Sequence, residues 1–242
     1  MLEVNNASKW FGGNPVLNHI SFTIEKGEVV GLIGPNGAGK TTLFNVITGF
    51  YRSRTGFIRF SGMDITRMKP EDICRLGLCR TFQITKPFSN IPVLKNVAIA
   101  ALSRAKNIRG AQKKAEEVLD FVGMLDKKDL LAKNLTIADR KRLEIARGLA
   151  TAPKLFLLDE VMAGLNPNEL KEFLPLIENM TGAGTTLFVI EHIMTVIMNI
   201  SHRVIALDNG EIICGGSPQE VACEPEVIKA YLGEEYVVAQ SR

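Results

Sequence analysis

The strongest chemical signal in the chain is Gly34-Pro35-Asn36-Gly37-Ala38-Gly39-Lys40-Thr41-Thr42. It fits G-x-x-x-x-G-K-[ST], a loop that wraps the phosphates of a nucleoside triphosphate. Glycines let backbone N–H groups close around phosphate oxygens, and a helix N-terminus behind them adds positive partial charge. Lys40 can reach the β- and γ-phosphates, and Thr41 can hold Mg²⁺. The motif requires a strand before it and a helix after it. Val29-Val30-Gly31-Leu32-Ile33 and Leu43-Phe44-Asn45-Val46-Ile47 supply them.

A second constellation is Leu155-Phe156-Leu157-Leu158-Asp159-Glu160, an apolar strand ending in two acids. Ligands of α/β sheets bind at that edge. There Asp159 can hold Mg²⁺ through water, and Glu160 can face the γ-phosphate and polarise an attacking water. Strands ending in solvated acids are common. What singles this one out is its place about 120 residues after a phosphate loop.

The elements that must position these residues follow from periodicity and turn signals. Leu2 to Asn5, His19 to Ile24 and Glu28 to Ile33 read as strands, with Lys26-Gly27 as a hairpin turn between the last two. Lys40 to Thr48 reads as a helix, Phe57 to Phe60 as a short strand closed by Ser61-Gly62, and Pro70 to Leu76 as a short helix with Pro in its first turn. From Val93 to Ala150 the pattern is helical, and Ile108 to Val122 is amphipathic. Leu155 to Leu158, Thr185 to Ile190 and Arg203 to Leu207 are buried-strand patterns, with helices at Leu170 to Asn179 and Ile193 to Ile200. A helical segment thus interrupts an α/β core.

Composition sets the outer bounds. The chain has 242 residues, 46% hydrophobic and 23% charged, which fits one folded domain and excludes disorder. A net charge of +3 does not argue for a nucleic-acid partner. Cys74, Cys79, Cys214 and Cys223 form no C-x-x-C pair, and no His stands at metal-ligand spacing. They read as reduced, mostly packed thiols. No apolar run approaches the roughly 18–20 residues of a membrane span. The start, Met1-Leu2-Glu3-Val4, does not read as a signal peptide. Any membrane role is therefore expected through a partner.

With these motifs in this order, the chain resembles the ATP-binding subunits of ABC transporters over essentially its whole length. The resemblance implies an α/β P-loop cassette: a RecA-like core with an antiparallel β subdomain and an inserted helical subdomain. It implies a single ABC ATPase domain over 1–242, with core 1–83 and 151–242 and a helical subdomain at about 84–150. ATP and Mg²⁺ are the implied cofactors, and Lys40, Gln83, Glu160 and His192 the implied catalytic set. Gln83, in Thr81-Phe82-Gln83, matches the glutamine that contacts Mg²⁺ and water and opens the helical subdomain. His192, in Val189-Ile190-Glu191-His192, matches the switch histidine on the γ-phosphate. Phe11 matches the aromatic that stacks on adenine, and Trp10 beside it competes for that role.

The signature departs from the family pattern. Where L-S-G-G-Q is usual, this chain reads Leu135-Thr136-Ile137-Ala138-Asp139. Thr136 keeps a hydroxyl and, with Asp139, makes a helix N-cap. Ala138 stands where a glycine is usual, which costs close approach to a phosphate and costs more if φ must be positive. Asp139, if ionised, puts negative charge near a triphosphate. In this family two cassettes pair head to tail, each signature completing the partner's ATP site. The departure therefore implies two unequal sites in the working dimer. Val161 replaces a common Pro after Glu160, and Asn166 replaces the Asp of the dimer-contact loop.

Arg80 to Gln83, Arg142 to Arg147, Met162 to Pro167 and the tail from Pro225 to Gly233 are similar to the importers of branched-chain amino acids. Within that branch the chain is similar to the first of two different ATPase subunits. Ser103 to Gln112 is shorter than the usual insert. The implied partners are a second ABC ATPase subunit (in a hetero- or homodimer), transmembrane permeases gripped around Thr85 to Asn90, and indirectly an extracytoplasmic solute-binding protein. No nucleic acid is implied. The implied place is cytoplasmic, peripheral on the inner face of the membrane. Urea importers, lipopolysaccharide exporters and weakly hydrolysing regulatory cassettes are the alternatives.

Overall fold

The computed structural model describes residues 1–82 and 86–232. In chain order the elements are β1 (Leu2–Phe11), β2 (Asn14–Ile24), β3 (Val29–Ile33), α1 (Lys40–Ile47), β4 (Thr55–Phe60), β5 (Met63–Asp64), α2 (Pro70–Leu76) and β6 (Leu78–Arg80). They continue as α3 (Val93–Ala101), α4 (Ile108–Phe121), α5 (Ile137–Leu149), β7 (Leu155–Asp159), α6 (Pro167–Gly182), β8 (Thr186–Ile190), α7 (Met194–Ile200), β9 (Arg203–Asp208), β10 (Glu211–Gly216), α8 (Pro218–Ala222) and α9 (Pro225–Leu232). The chain divides into two compact units, one of Met1–Ile73 with Thr186 onward, the other Cys74–Thr185.

The first unit holds two sheets. One is antiparallel, in the order β2-β1-β4-β5. The other runs β10-β9-β3-β8, with β3 parallel to β8 and to β9. All five residues of β3 and of β8 are buried, as both faces of a parallel sheet must be. Phe188 of β8 packs against Phe44 of α1 (centroids 5.0 Å) and Phe22 of β2 (5.5 Å), which anchors the helix behind the phosphate loop. Gly31 lets α7 close on β3: a Cβ there would lie 2.8 Å from Ser201 Oγ and 2.9 Å from Ile197 Cγ2.

Two expectations for this unit need correction. Lys26-Gly27 is a turn (Gly27 φ +79°) but not a hairpin, because β2 pairs with β1 and β3 pairs with β8 and β9. Burial explains it. In β2 exposed and covered residues interleave, so it takes one outer face, whereas β3 is apolar throughout and takes a central place. The hairpin is instead β1–β2, turning at Gly12-Gly13, and both strands outrun their expected limits. Polar residues hide that length: bulges between Val4 and Ala7, with Asn6 at φ +52°, let Asn5 and Asn6 stay exposed within the strand.

The second unit contains α3, α4 and α5 packed on one another, with β6 parallel to β7 and α6 following. Small residues bring the helices close: Ala101 of α3, Ala111 and Ala115 of α4, and Ala146 of α5 are buried. Gly148 seats α5 on β7, since a Cβ there would stand 2.1 Å from Phe156 Cζ. Asn107 caps α4 by accepting from the Gly110 N–H at 2.8 Å. The helix after β7 starts earlier than its apolar pattern suggests. Asn166 and Glu169 form a capping box with Pro167 in the first turn. The cysteines are less packed than expected: Cys74, Cys79 and Cys214 are half-buried and Cys223 is exposed. Among the described residues no helix is long and apolar enough to cross a membrane.

Candidate active site

The phosphate loop follows β3 and runs into α1 through three left-handed glycines: Gly34 (φ +152°), Gly37 (+85°) and Gly39 (+107°). Two have no room for a side chain. A Cβ on Gly34 would lie 2.0 Å from Leu207 O, and one on Gly39 would lie 2.9 Å from both Val16 O and Leu17 Cδ2. At Gly37 nothing stands within 4 Å of such a Cβ, so the loop is open on that side. The Ala38 carbonyl accepts from the Gly210 N–H at 3.0 Å, which ties the loop to the β9–β10 turn. Lys40 is buried, and its ammonium donates to Gly34 O (2.6 Å) and Pro35 O (2.9 Å). Gly39 is the N-cap of α1 and offers no side-chain cap, so donors of the first turn stay available to a ligand.

Phe11 and His192 belong to the same unit. Phe11 is 42% exposed at the end of β1, edge-on to Tyr51 (5.1 Å) with Lys9 Nζ 5.0 Å from its ring centre. Trp10, the competing aromatic, carries the Arg54 guanidinium over its ring at 4.4 Å. Both rings carry a cation, a point-charge ammonium on Phe11 and a planar guanidinium stacked on Trp10. His192 is exposed, two residues beyond β8 and next to buried Glu191.

The acidic pair lies in the second unit. Asp159 closes β7 with its side chain fully buried and paired to Arg80, Nη2 to Oδ2 at 2.9 Å. The Thr81 hydroxyl accepts from the Asp159 N–H at 2.9 Å, and Arg80 Nε donates to the Thr81 carbonyl at 3.0 Å. Burial pulls the Arg80 pKa below its ordinary value, and the Asp159 carboxylate opposes that pull. Phe82 continues the strap: its N–H donates to Glu144 of α5, and its ring lies under the Arg80 guanidinium at 4.8 Å. In the sequence Arg80 stands out only as a mark of family branch. Its pairing with a residue 79 positions away leaves no local signal.

Glu160 is left-handed at φ +53°, a conformation that costs a non-glycine residue on the order of 1–3 kcal/mol and recurs at functional sites. Its carbonyl accepts from Lys141 Nζ of α5 at 3.0 Å. Val161, in place of the common proline, is buried.

The signature forms the start of α5. Thr136 is the N-cap, its hydroxyl accepting from the Asp139 N–H at 3.1 Å. The reciprocal half of a capping box is replaced: the Asp139 carboxylate takes Lys127 Nζ at 2.6 Å. The expected negative charge is therefore ion-paired. Ala138 lies inside α5 and is not among the residues with positive φ, so its Cβ brings no backbone strain. Leu135 is buried beneath the turn, and Ile137 is 65% exposed.

The loop, Phe11 and His192 thus belong to the first unit, and Asp159, Glu160 and Leu135 to Asp139 belong to the second. Gln83 lies outside the described residues, as does Thr85 of the expected permease contact. The residues present suit a nucleotide and Mg²⁺. The loop is a preformed cradle, open at Gly37 and backed by a buried ammonium. Mg²⁺ is ordinarily held by one or two protein oxygens plus phosphates and water, so the Thr41 hydroxyl in the first turn after the loop suits it without an all-protein cage. Among the described residues no cluster of three or more His, Cys, Asp or Glu forms such a cage.

Comparison with known proteins agrees with this arrangement. The profile of the ABC transporter family matches residues 17–163, and that of the branched-chain amino acid ATP-binding cassette transporter matches 211–237. The high-affinity branched-chain amino acid transport ATP-binding protein LivG of Salmonella typhimurium is 38% identical over 250 residues, covering 97% of this chain and 98% of its own. Two solved structures, a nucleotide-free ATP-binding cassette from an ABC transporter and a cassette in its ADP conformation, are each 31% identical with a TM-score of 0.88. Each comparison covers 97% of this chain and 99% of theirs. With a family profile spanning most of its length and relatives matched end to end, the chain belongs to the ABC transporter family and has the fold of its ATP-binding cassettes.

Proposed function

We propose that this chain binds and hydrolyses ATP as one cassette of an import complex for branched-chain amino acids. The observation that carries the chemistry is the loop: three left-handed glycines, two with no room for a side chain, opening on a helix without a side-chain cap beside buried Lys40. The solute comes from the likeness to transport proteins of that name. Nothing in a nucleotide site reads an amino-acid side chain.

Lys40 and the loop N–H groups take the β- and γ-phosphates. Thr41 and Asp159 would hold Mg²⁺, which would offset phosphate charge. Glu160 orients and polarises the attacking water. His192 and Gln83 complete the γ-phosphate shell. Catalysis of this kind is positioning and charge stabilisation, so the side chains need only be held in place. Phe11 offers its exposed ring to the adenine. The chain works with a second cassette and with permeases at the inner face of the membrane, and a solute-binding protein reaches it only through them. Glu160→Gln in the assembled transporter tests the reading: turnover falls by roughly 100-fold or more while ATP stays bound in a closed dimer. Normal turnover overturns the role of Glu160.

The signature favours a second element of this reading, unequal sites in the dimer. Asp139 is committed to Lys127 rather than free to meet the partner's nucleotide. Restoring the family residues, Ala138→Gly with Asp139→Gln, raises ATPase activity per dimer if the sites are unequal. An unchanged rate means the departure is harmless.

A further inference from the structure

One contact in the second unit joins the signature helix to the acid that acts on water. Lys141 stands five residues after the Thr136 cap and donates from Nζ to the Glu160 carbonyl oxygen at 3.0 Å. The same oxygen takes the Ala163 N–H at 3.3 Å. Because Glu160 is left-handed, its peptide turns out of the β7 ladder and its oxygen must find donors elsewhere. A half-buried ammonium supplies a charge-assisted bond, roughly twice as strong as a neutral one. The helix that carries Lys141 is pinned on both sides of it. Lys127 holds Asp139 ahead of it, Arg142 donates to Val122 O at 3.2 Å, and Glu144 accepts from the Phe82 N–H behind it.

We propose that Lys141 is a positioning residue: it fixes the peptide after Glu160, hence the direction in which that carboxylate leaves the chain, and so couples the set of the signature helix to hydrolysis. This rests on the assignment of Glu160 above. Without Lys141 the strained left-handed residue loses its charged donor and keeps the longer Ala163 bond, so its φ and the aim of its side chain shift. The phosphate loop takes its shape from glycines in another unit and is untouched, so turnover changes while ATP binding does not.

The test compares wild type, Lys141→Met, Lys141→Arg and Glu160→Gln in the full chain assembled with its transporter partners. Lys141→Met lowers kcat by about 10- to 100-fold, the scale of a misplaced catalytic group, with KM and Kd for ATP and the melting temperature close to wild type. Lys141→Arg, which can donate to the same oxygen, restores most of kcat. Full turnover in Lys141→Met beside an inactive Glu160→Gln overturns the proposal and leaves Glu160 standing. A kcat loss accompanied by weaker ATP binding and lower melting temperature, without rescue by arginine, makes Lys141 structural only and also overturns it. Normal turnover in Glu160→Gln overturns the assignment of Glu160 itself.

Discussion

The phosphate loop takes its shape chiefly from backbone, with the Lys40 ammonium clasping the Gly34 and Pro35 carbonyls. Its left-handed positions are glycines, and two of them sit against carbonyl oxygens that exclude a Cβ. The acidic end of β7 contains no glycine. Glu160 takes a left-handed φ with its full side chain, and the turn is held by charged groups from distant segments: Arg80 on Asp159 and Lys141 on Glu160. The signature is built in the second manner, with Lys127 on Asp139. The difference teaches where each region tolerates change. A backbone-made cradle needs no remote countercharge but accepts almost no substitution at its glycines. A side-chain-made site can absorb a departure such as Asp139, provided a countercharge lies within reach.

The sharpest way to break this comparison is at Gly34. In Gly34→Ala the new Cβ meets a backbone carbonyl that cannot move aside cheaply. Nucleotide binding falls by about 100-fold or more and stability by roughly 3 kcal/mol, read by titration and by urea unfolding. Retained binding means the loop is not backbone-determined. Next comes Arg80→Met. It strands a buried carboxylate and costs about 3–5 kcal/mol in urea unfolding, with Arg80→Lys losing less. It spares the loop's shape, so its effect on ATP affinity is smaller than that of Gly34→Ala.

A third measurement reads the electrostatics of the second unit directly. The hydrogen bond from Cys79, reinforced by the Thr151 hydroxyl and by Arg104 and Arg75, lowers the Cys74 thiol to about 6. That same bond and burial push Cys79 well above its usual value. A lowered thiol pKa means thiolate above that value, so at pH 7 Cys74 is mostly ionised and Cys79 is not. Alkylation at pH 7 followed by peptide mapping finds Cys74 modified at least about tenfold faster than Cys79, and the Cys74 rate itself falls below pH 5 as its thiol protonates. Equal rates remove the claim that neighbouring side chains set the chemistry here. The smallest effect belongs to Lys127→Met. A partly exposed pair is worth about 0.2–1 kcal/mol, and the loss shrinks in high salt. A larger, salt-independent loss makes the Asp139 pair as structural as that of Arg80.

Much of the site was legible in the chain because its signals are local. Lys40 and Thr41 follow their glycines within a few residues. The four apolar residues before Asp159 announce a buried strand, and Thr136 precedes its helix at cap spacing. The turn at Lys26-Gly27 misled because a turn signal does not say which strands it joins. At Ala138 the sequence did not say whether a positive φ made glycine necessary, and φ there is ordinary.

By itself the sequence determined the phosphate loop, the acid-ending strand and the order of strands and helices, because steric freedom at glycine and burial of apolar runs act over a few residues. Tertiary structure alone decided that β2 leaves β3 for another sheet, that Arg80 neutralises Asp159, that Lys127 cancels the charge of Asp139 and that Lys141 holds the peptide after Glu160. These choices join groups 12 to 79 positions apart. Charges at that separation carry no period, and only the packed chain brings them within hydrogen-bonding distance.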